Sequence, residues 1–302
     1  MTIIPSLVSN PSQSAWTRLP LYTEPANTAS TYASSNPTDS NAGLIRRMGA
    51  TPVAHWFGDW DTNPTAAIAA YTSAAKQANA MPVAVLYNIP DRDCGNYSAG
   101  GVASGATYLE WVKSVTAGIA DNPAVVILEP DALAGADCLS ASDRQERFNL
   151  IGHAVDILKT SPNTVVYIDA GNPAWQTATL MAERLKAANI SGADGFSLNV
   201  SNYTATSRNQ QYGDQISKLV GDKHYVIDTS RNGNSNLSPE EWCNNHAAAF
   251  GDSPTTKTGN GRNDALLWVK IPWESDGTCN GGPRAGEAFW TFATQLARNA
   301  GW

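Results

Sequence analysis

The sequence predicts an α/β fold built on a parallel sheet, and three observations carry that expectation. Seven apolar, β-rich runs alternate with Ala-rich stretches of helical character along nearly the whole chain, the pattern of repeated βα units. Several runs are apolar without interruption, as strands buried on both faces must be. Four of them lead into an acid: Asp93, Asp131, Asp169 and Asp276. Parallel strands deliver their C-terminal ends to one rim, so these four carboxylates are expected to share it.

The strand-like runs are Pro52–Phe57, Met81–Ile89, Ala124–Glu129, Asn163–Asp169, Gly195–Val200, His224–Asp228 and Ala265–Ile271. Between them Thr65–Asn79, Ala106–Ile119, Ser142–Leu158 and Ala178–Ala188 carry apolar residues three or four apart on an Ala-rich background, the helical signature. Every run ends in a polar or aromatic residue able to serve a site: Trp56, Tyr87, Asp131, Asp169, Asn199, Asp228 and Lys270. An open doubly wound sheet gathers ligand groups at one switch point, whereas a barrel collects them from all strands. The choice therefore tilts to a parallel, TIM-like β/α barrel with its site at the C-terminal strand ends. No second domain or long linker interrupts the pattern. Residues 1–302 read as one catalytic domain, with 1–45 an irregular wrap on the outside and the barrel spanning about 50–302.

The chain is 42% hydrophobic and 16% charged, which suits one large core. A net charge of -7 argues against nucleic acid or an anionic membrane as partner. No apolar run approaches the roughly 20 residues that span a bilayer, and a monomer is the default. Ser, Thr, Asn, Gly and Ala are plentiful and Lys scarce, a secreted-hydrolase composition with the leader peptide absent from this chain. Cys94, Cys138, Cys243 and Cys279 fit disulfides in an oxidising compartment better than buried thiols, with their pairing left open. They form no C-x-x-C, and the histidines lie at no zinc spacing, so no metal is expected. No P-loop, dinucleotide fingerprint or nucleophile elbow is present, and no cofactor is expected.

Several acids at one rim suit acid/base work on a neutral polar substrate. Cleaving a glycosidic bond needs one carboxylic acid to protonate the leaving oxygen and a second to attack or to activate water. Asp131 is the candidate acid, because an apolar strand and its Glu129-Pro130 neighbours should desolvate it and raise its pKa. The competing reading is a helix N-cap opening Ala132-Leu133-Ala134. Asp276-Gly277 is by itself a turn signal, and Asp93 could equally be a loop acid paired to Arg92. Ten tryptophans are present, with Trp56, Trp175, Trp242 and Trp273 near the acids. Indoles stack on the C–H faces of sugar rings. Trp111, Trp268 and Trp290 read as ordinary core.

Taken in order, Tyr87–Cys94, Ile127–Asp131, Tyr167–Trp175, Asn199–Tyr203, Ile227–Gly233, Glu241–Cys243 and Trp268–Gly277 resemble glycoside hydrolase family 6, the cellulases. The resemblance implies a distorted barrel of seven parallel strands and inverting hydrolysis of β-1,4-glucan. Asp131 matches the proton donor, Asp93 the aspartate that raises the donor's pKa and helps position water, Asp276 the proposed base, and Asp169 a supporting acid. Tyr87 and Arg92 match residues that crowd the distorted sugar and hold the acid pair. Trp56, Trp175 and Trp242 match stacking platforms, and Asn202, Lys270 and Glu274 match hydroxyl-binding positions. The resemblance also implies the bridges Cys94–Cys138 and Cys243–Cys279. Two departures stand out. Asn172 replaces the usual His, altering a sugar contact there, and Gly58 stands where some members carry Asp, with Asp59 beside it as an open substitute.

Tunnel-forming members of the family carry long insertions after the Asp-Cys motif and after the proposed base. Both segments are short here, which predicts an open cleft and internal cleavage, an endoglucanase; the composition adds secretion, and the resemblance implies cellulose and cello-oligosaccharides as partners. The rival readings are a cellobiohydrolase, a hydrolase of another β-glucan, and a carbohydrate-binding barrel without turnover.

Overall fold

A computed structural model of the chain describes residues 14–237 and 241–302. Seven parallel strands stand side by side in sequence order. They are β1 (His55–Phe57), β2 (Val83–Leu86), β3 (Ala124–Leu128), β4 (Thr164–Asp169), β5 (Gly195–Leu198), β6 (His224–Asp228) and β7 (Asn263–Leu267). β6 coincides with its apolar run; the other strands are shorter, β2, β3, β5 and β7 because the ladders stop where the chain turns into the rim loops, and β1 and β4 at their entry ends. The sheet curls until its edges meet, and the Ala54 N–H donates to the Trp268 carbonyl at 2.9 Å. The Trp56 indole adds a bond to the Val269 carbonyl at 2.8 Å. The result is the expected distorted, TIM-like barrel.

Side chains alternate across the strands, as a period of two requires. Val83, Val85 and Tyr87, with Val125 and Ile127, fill the barrel interior. Ala84 and Leu86, with Ala124, Val126 and Leu128, face the helices outside. Those helices are α3 (Pro64–Gln77), α4 (Gly105–Ile119), α5 (Ala141–Leu158), α6 (Ala178–Ala187) and α7 (Thr206–Leu219), with α8 (Trp290–Asn299) closing the chain. Their starts are chemically marked. Asn63, Ser104, Ser140 and Thr177 each accept a first-turn N–H on the side-chain oxygen, which satisfies a donor the helix leaves unpaired.

The N-terminal segment departs from expectation. Two helices, α1 (Thr28–Ser35) and α2 (Ala42–Gly49), replace part of the irregular wrap and pack on one another and on α8. Residues 1–13 lie outside the described residues. Trp16, far from lying on the outside, packs among the interior residues of the barrel. Its indole donates to the Tyr167 hydroxyl at 2.9 Å, and that hydroxyl donates to Asp264 at 2.5 Å. Ser14 binds the same carboxylate through its backbone N–H and hydroxyl, and His224 approaches at 2.9 Å. An apolar indole with one polar tip suits a barrel floor that must exclude water around a buried acid.

Trp16→Ala should therefore cost about 3 kcal/mol of stability, the usual range for emptying a buried indole site. Urea denaturation checks it, and a change below about 1 kcal/mol would show the floor to be dispensable.

Candidate active site

The strand ends open into a cleft of about 1130 Å³. Tyr87, Arg92, Asp93, Asp131 and Asp276 line it, as do Trp56, Asn172, Trp175, Asn202, Trp242, Lys270 and Glu274. Of the expected catalytic and sugar-binding residues, Asp169 stands behind this lining, fully buried, as do the strand-end residues Asn199 and Asp228.

Asp131 sits past β3 in a left-handed conformation, φ 68°, two residues after Glu129 at φ 49°. Such values are uncommon for non-glycine residues and are held only by surrounding structure. Residues 131–135 form turns and no helix starts at Asp131, so it is not a helix cap. Its Oδ1 is buried without a hydrogen-bond partner. Burial first, then the charges of Asp169, Asp93 and Asp276, hold its carboxyl well above the ordinary carboxylate range. Desolvation and like charge act in the same direction here.

Asp169 positions this acid from behind. Its Oδ2 accepts the Asp131 N–H at 3.0 Å and the Gly171 N–H at 3.1 Å, while Oδ1 accepts the Ser197 hydroxyl at 3.0 Å. Burial lifts its pKa to about 6 against those bonds. Glu129 holds the adjoining loop in the same manner, taking the N–H groups of Asn88 and Ile89 at 3.0 and 3.1 Å. Its pKa rises by burial to about 7. Nothing about a Glu before Pro reveals that task in sequence, and Glu129 was not among the expected site residues.

Asp93 is half-buried, accepts the Ser98 N–H at 2.8 Å, and is pushed upward mainly by burial. Arg92 lowers it through charge. Arg92 pairs with Asp59 at 2.9 Å and donates to the Tyr87 carbonyl at 2.8 Å. The guanidinium lies 4.6 Å over the Tyr87 ring, and Tyr87 meets Trp56 edge-on at 5.3 Å. The bridge Cys94–Cys138 ties the Asp93 loop to the Asp131 loop, and Cys243–Cys279 ties the Trp242 loop to the Asp276 loop.

Asp276 is built differently. Both its oxygens take the Arg231 Nη1, at 2.9 and 2.8 Å. Asn244 N–H donates at 2.9 Å, Tyr203 OH at 3.3 Å, and Lys270 Nζ lies at 3.6 Å. Burial would raise this pKa, but Arg231 and then Lys270 outweigh it and hold the carboxyl below its ordinary value. Arg231 is fully buried, stacks 4.6 Å over Tyr203 and donates to the Ser201 carbonyl. It was overlooked in the sequence, although an Arg directly after the buried run Val226–Ser230 is the signal that could have found it.

The sugar-type contacts are mixed. Trp175 and Trp242 are 43% and 45% exposed, bare enough to act as platforms. Trp273 is a core residue donating to Thr28, and Trp111 and Trp268 are buried as expected. Asn172 turns its oxygen to the Ala174 N–H, so its acceptor already closes its own loop. Burial raises Glu274 to about 6, against the pull of Lys270 and His55.

With this geometry in place, the chain matches the profile of Glycosyl hydrolases family 6 over residues 12–300. The chain belongs to family 6. A family 6 relative, Endoglucanase 1 of Streptomyces halstedii, is 44% identical over 269 residues, covering 86% of this chain and 82% of its own length. Endoglucanase A of Cellulomonas fimi is 45% identical, but the match spans only 57% of that longer protein. The solved endoglucanase Cel6 of Mycobacterium tuberculosis, in complex with methyl-cellobiosyl-4-deoxy-4-thio-β-D-cellobioside, superposes with a TM-score of 0.90 at 45% identity. That superposition covers 94% of this chain and 98% of the other. Family membership makes this chain a glycoside hydrolase of the cellulase class.

Arg231→Leu should strand the Asp276 charge in a buried site, at a cost of about 3–5 kcal/mol near neutral pH. Asp276 is depressed in the folded state, so the pair's stabilisation is present above the unfolded carboxylate pKa and fades as pH falls through the folded value. Urea denaturation from pH 7 to pH 3 should show the gap between variant and wild type closing on the acid side. A gap independent of pH would overturn the assignment.

Proposed function

We propose that this cellulase is a secreted endo-β-1,4-glucanase that inverts the anomeric centre, with Asp131 as proton donor. The observation that carries the reading is the paired environment of Asp131 and Asp276. One carboxyl is kept protonated by burial and neighbouring acids, while the other is kept ionised by Arg231. Opposed environments of this kind separate acid from anion in one site.

In the proposed step the Asp131 proton moves to the glycosidic oxygen as that bond breaks. Water attacks the anomeric carbon from the opposite face and loses a proton in turn. Asp276 is a poor receiver for it, because both its oxygens are committed to Arg231. Asp93, half-buried and raised in pKa, is the better acceptor, through an intervening water. Asp276, held by Arg231 and Lys270, then fixes that side of the cleft rather than taking the proton. Trp56, Trp175 and Trp242 would stack successive glucosyl units, with Asn202, Lys270 and Glu274 binding hydroxyls.

Internal cleavage is supported by the relatives of Streptomyces halstedii and Cellulomonas fimi, both named endoglucanases. The ligand of the Mycobacterium tuberculosis structure supports a β-glucan substrate. Secretion is supported by the two disulfides. One observation favours the cellobiohydrolase reading instead. Tyr97 reaches Trp242 at 6.1 Å and packs on Gly277, where any Cβ would fall 2.5 Å from its ring. That contact narrows the cleft over the acids.

Carboxymethylcellulose should lose viscosity steeply with few new reducing ends. Steady cellobiose release at nearly constant viscosity would overturn the endo assignment. Asp131→Ala should lower turnover by about three orders of magnitude or more with binding retained, and proton NMR of the first product should show the α anomer. A tenfold-only loss, or a β product, would remove Asp131 or inversion respectively.

The pH dependence follows from the charges. Activity requires protonated Asp131, so kcat/KM should fall on the alkaline side as that proton leaves. Asp93→Asn removes a charge that raises Asp131, so the alkaline limb should move to lower pH. A limb that stays or moves upward would exclude Asp93 as the neighbour that tunes the acid.

A further inference from the structure

Trp60, on the loop after β1, lines the same cleft as Trp56 and Tyr87 and is 51% exposed, barer than Trp175 or Trp242. It is nevertheless held in place. Its six-membered ring lies on the backbone of Gly58, where an added Cβ would come 2.5 Å from ring carbons. The Arg92 guanidinium stands 5.4 Å from the ring. That guanidinium is itself pinned by Asp59 and the Tyr87 carbonyl. A fixed indole with an uncovered face, in the wall of a cleft rich in hydrogen-bonding groups, fits the C–H face of a pyranose ring.

We propose that Trp60 is an additional glucosyl platform, set one guanidinium beyond Tyr87 on the β1 side of the cleft. Trp175 and Trp242 stand on the loops after β4 and β6, so Trp60 extends the aromatic lining at a separate part of the rim. Gly58 is the residue that permits it, because any side chain there would push the indole off its seat. The acid that some family members carry at position 58 is therefore incompatible with this placement. Asp59, the next residue, pairs with Arg92 while the Gly58 backbone carries the indole. The consequence is a preference for longer glucan chains, since Trp60 adds a stacking face on the loop after β1, apart from those of Trp175 and Trp242. This inference rests on the β-1,4-glucanase reading.

The test is kcat/KM for cellotriose through cellohexaose with wild type, Trp60→Ala, Trp60→Phe and Gly58→Ala. Wild type should gain efficiency with length. Trp60→Ala should lose about tenfold on cellohexaose, a loss typical of one aromatic contact, and stay near wild type on the shortest oligomer cleaved. Trp60→Phe should recover most of that loss. Gly58→Ala, which keeps the indole but dislodges it, should repeat the length-selective defect and guards against misfolding of the alanine variant. An equal loss at every length would mean that Trp60 only steadies Arg92, and no loss would mean that it touches no sugar. Either result overturns the platform. A wild type inactive on all these oligomers would overturn the glucanase reading and the platform with it, whereas an active wild type with an indifferent Trp60→Ala removes the platform alone.

Discussion

The uneven distribution of positive charge around four buried or half-buried carboxylates governs this site. Arg231 and Lys270 both stand against Asp276, and Arg92 spends its ion pair on Asp59. Among the described residues Asp131 has no cation in contact and three acids nearby. A carboxyl in that position holds its proton because ionising would place another negative charge in a poorly solvated space. The strained backbone at Glu129 and Asp131, the Asp169 acceptor and the Cys94–Cys138 bridge all serve to keep that carboxyl where solvent cannot relieve it.

The barrel and the site are coupled through the same strand ends. Asp228 illustrates this, because its carboxylate collects the N–H groups of Ser201, Ser230, Val269 and Lys270. A single buried side chain thus sets the loops after β5, β6 and β7 relative to one another. Arg231 and Lys270 leave those loops, so the cations that face Asp276 inherit their placement from Asp228. Buried acids satisfied by backbone donors are structural joints as much as titratable groups.

Much of this was legible in the residues. The run Ala124–Leu128 is a strand buried on both faces, the helix starts carry their capping side chains, and the exposed Trp175 and Trp242 sit where the aromatic signal suggested. What stayed hidden depends on partners distant in sequence. Arg231 reads as a loop cation until Asp276, 45 residues later, is folded against it. Glu129 reads as a neighbour of the acid until the Asn88 and Ile89 N–H groups arrive from the adjacent strand. Trp16 reads as part of an irregular outer wrap because a lone indole has no periodicity to announce it. The pairing of Arg92 with Asp59 rather than Asp93 turned on a one-residue displacement that composition cannot express.

The floor of the barrel has a temporal consequence. Ser14 and Asp264 are separated by 250 positions, yet they share one carboxylate with Tyr167 and His224. During synthesis the earliest of these groups leaves the ribosome long before its acceptor exists. Ser14 must therefore wait until the seventh strand has emerged and Trp16 until Tyr167 on the fourth, and contacts of such long range are slow to form. Sealing the base is a late event in the life of the nascent chain, and the indole that performs it is the group most in need of protection until then.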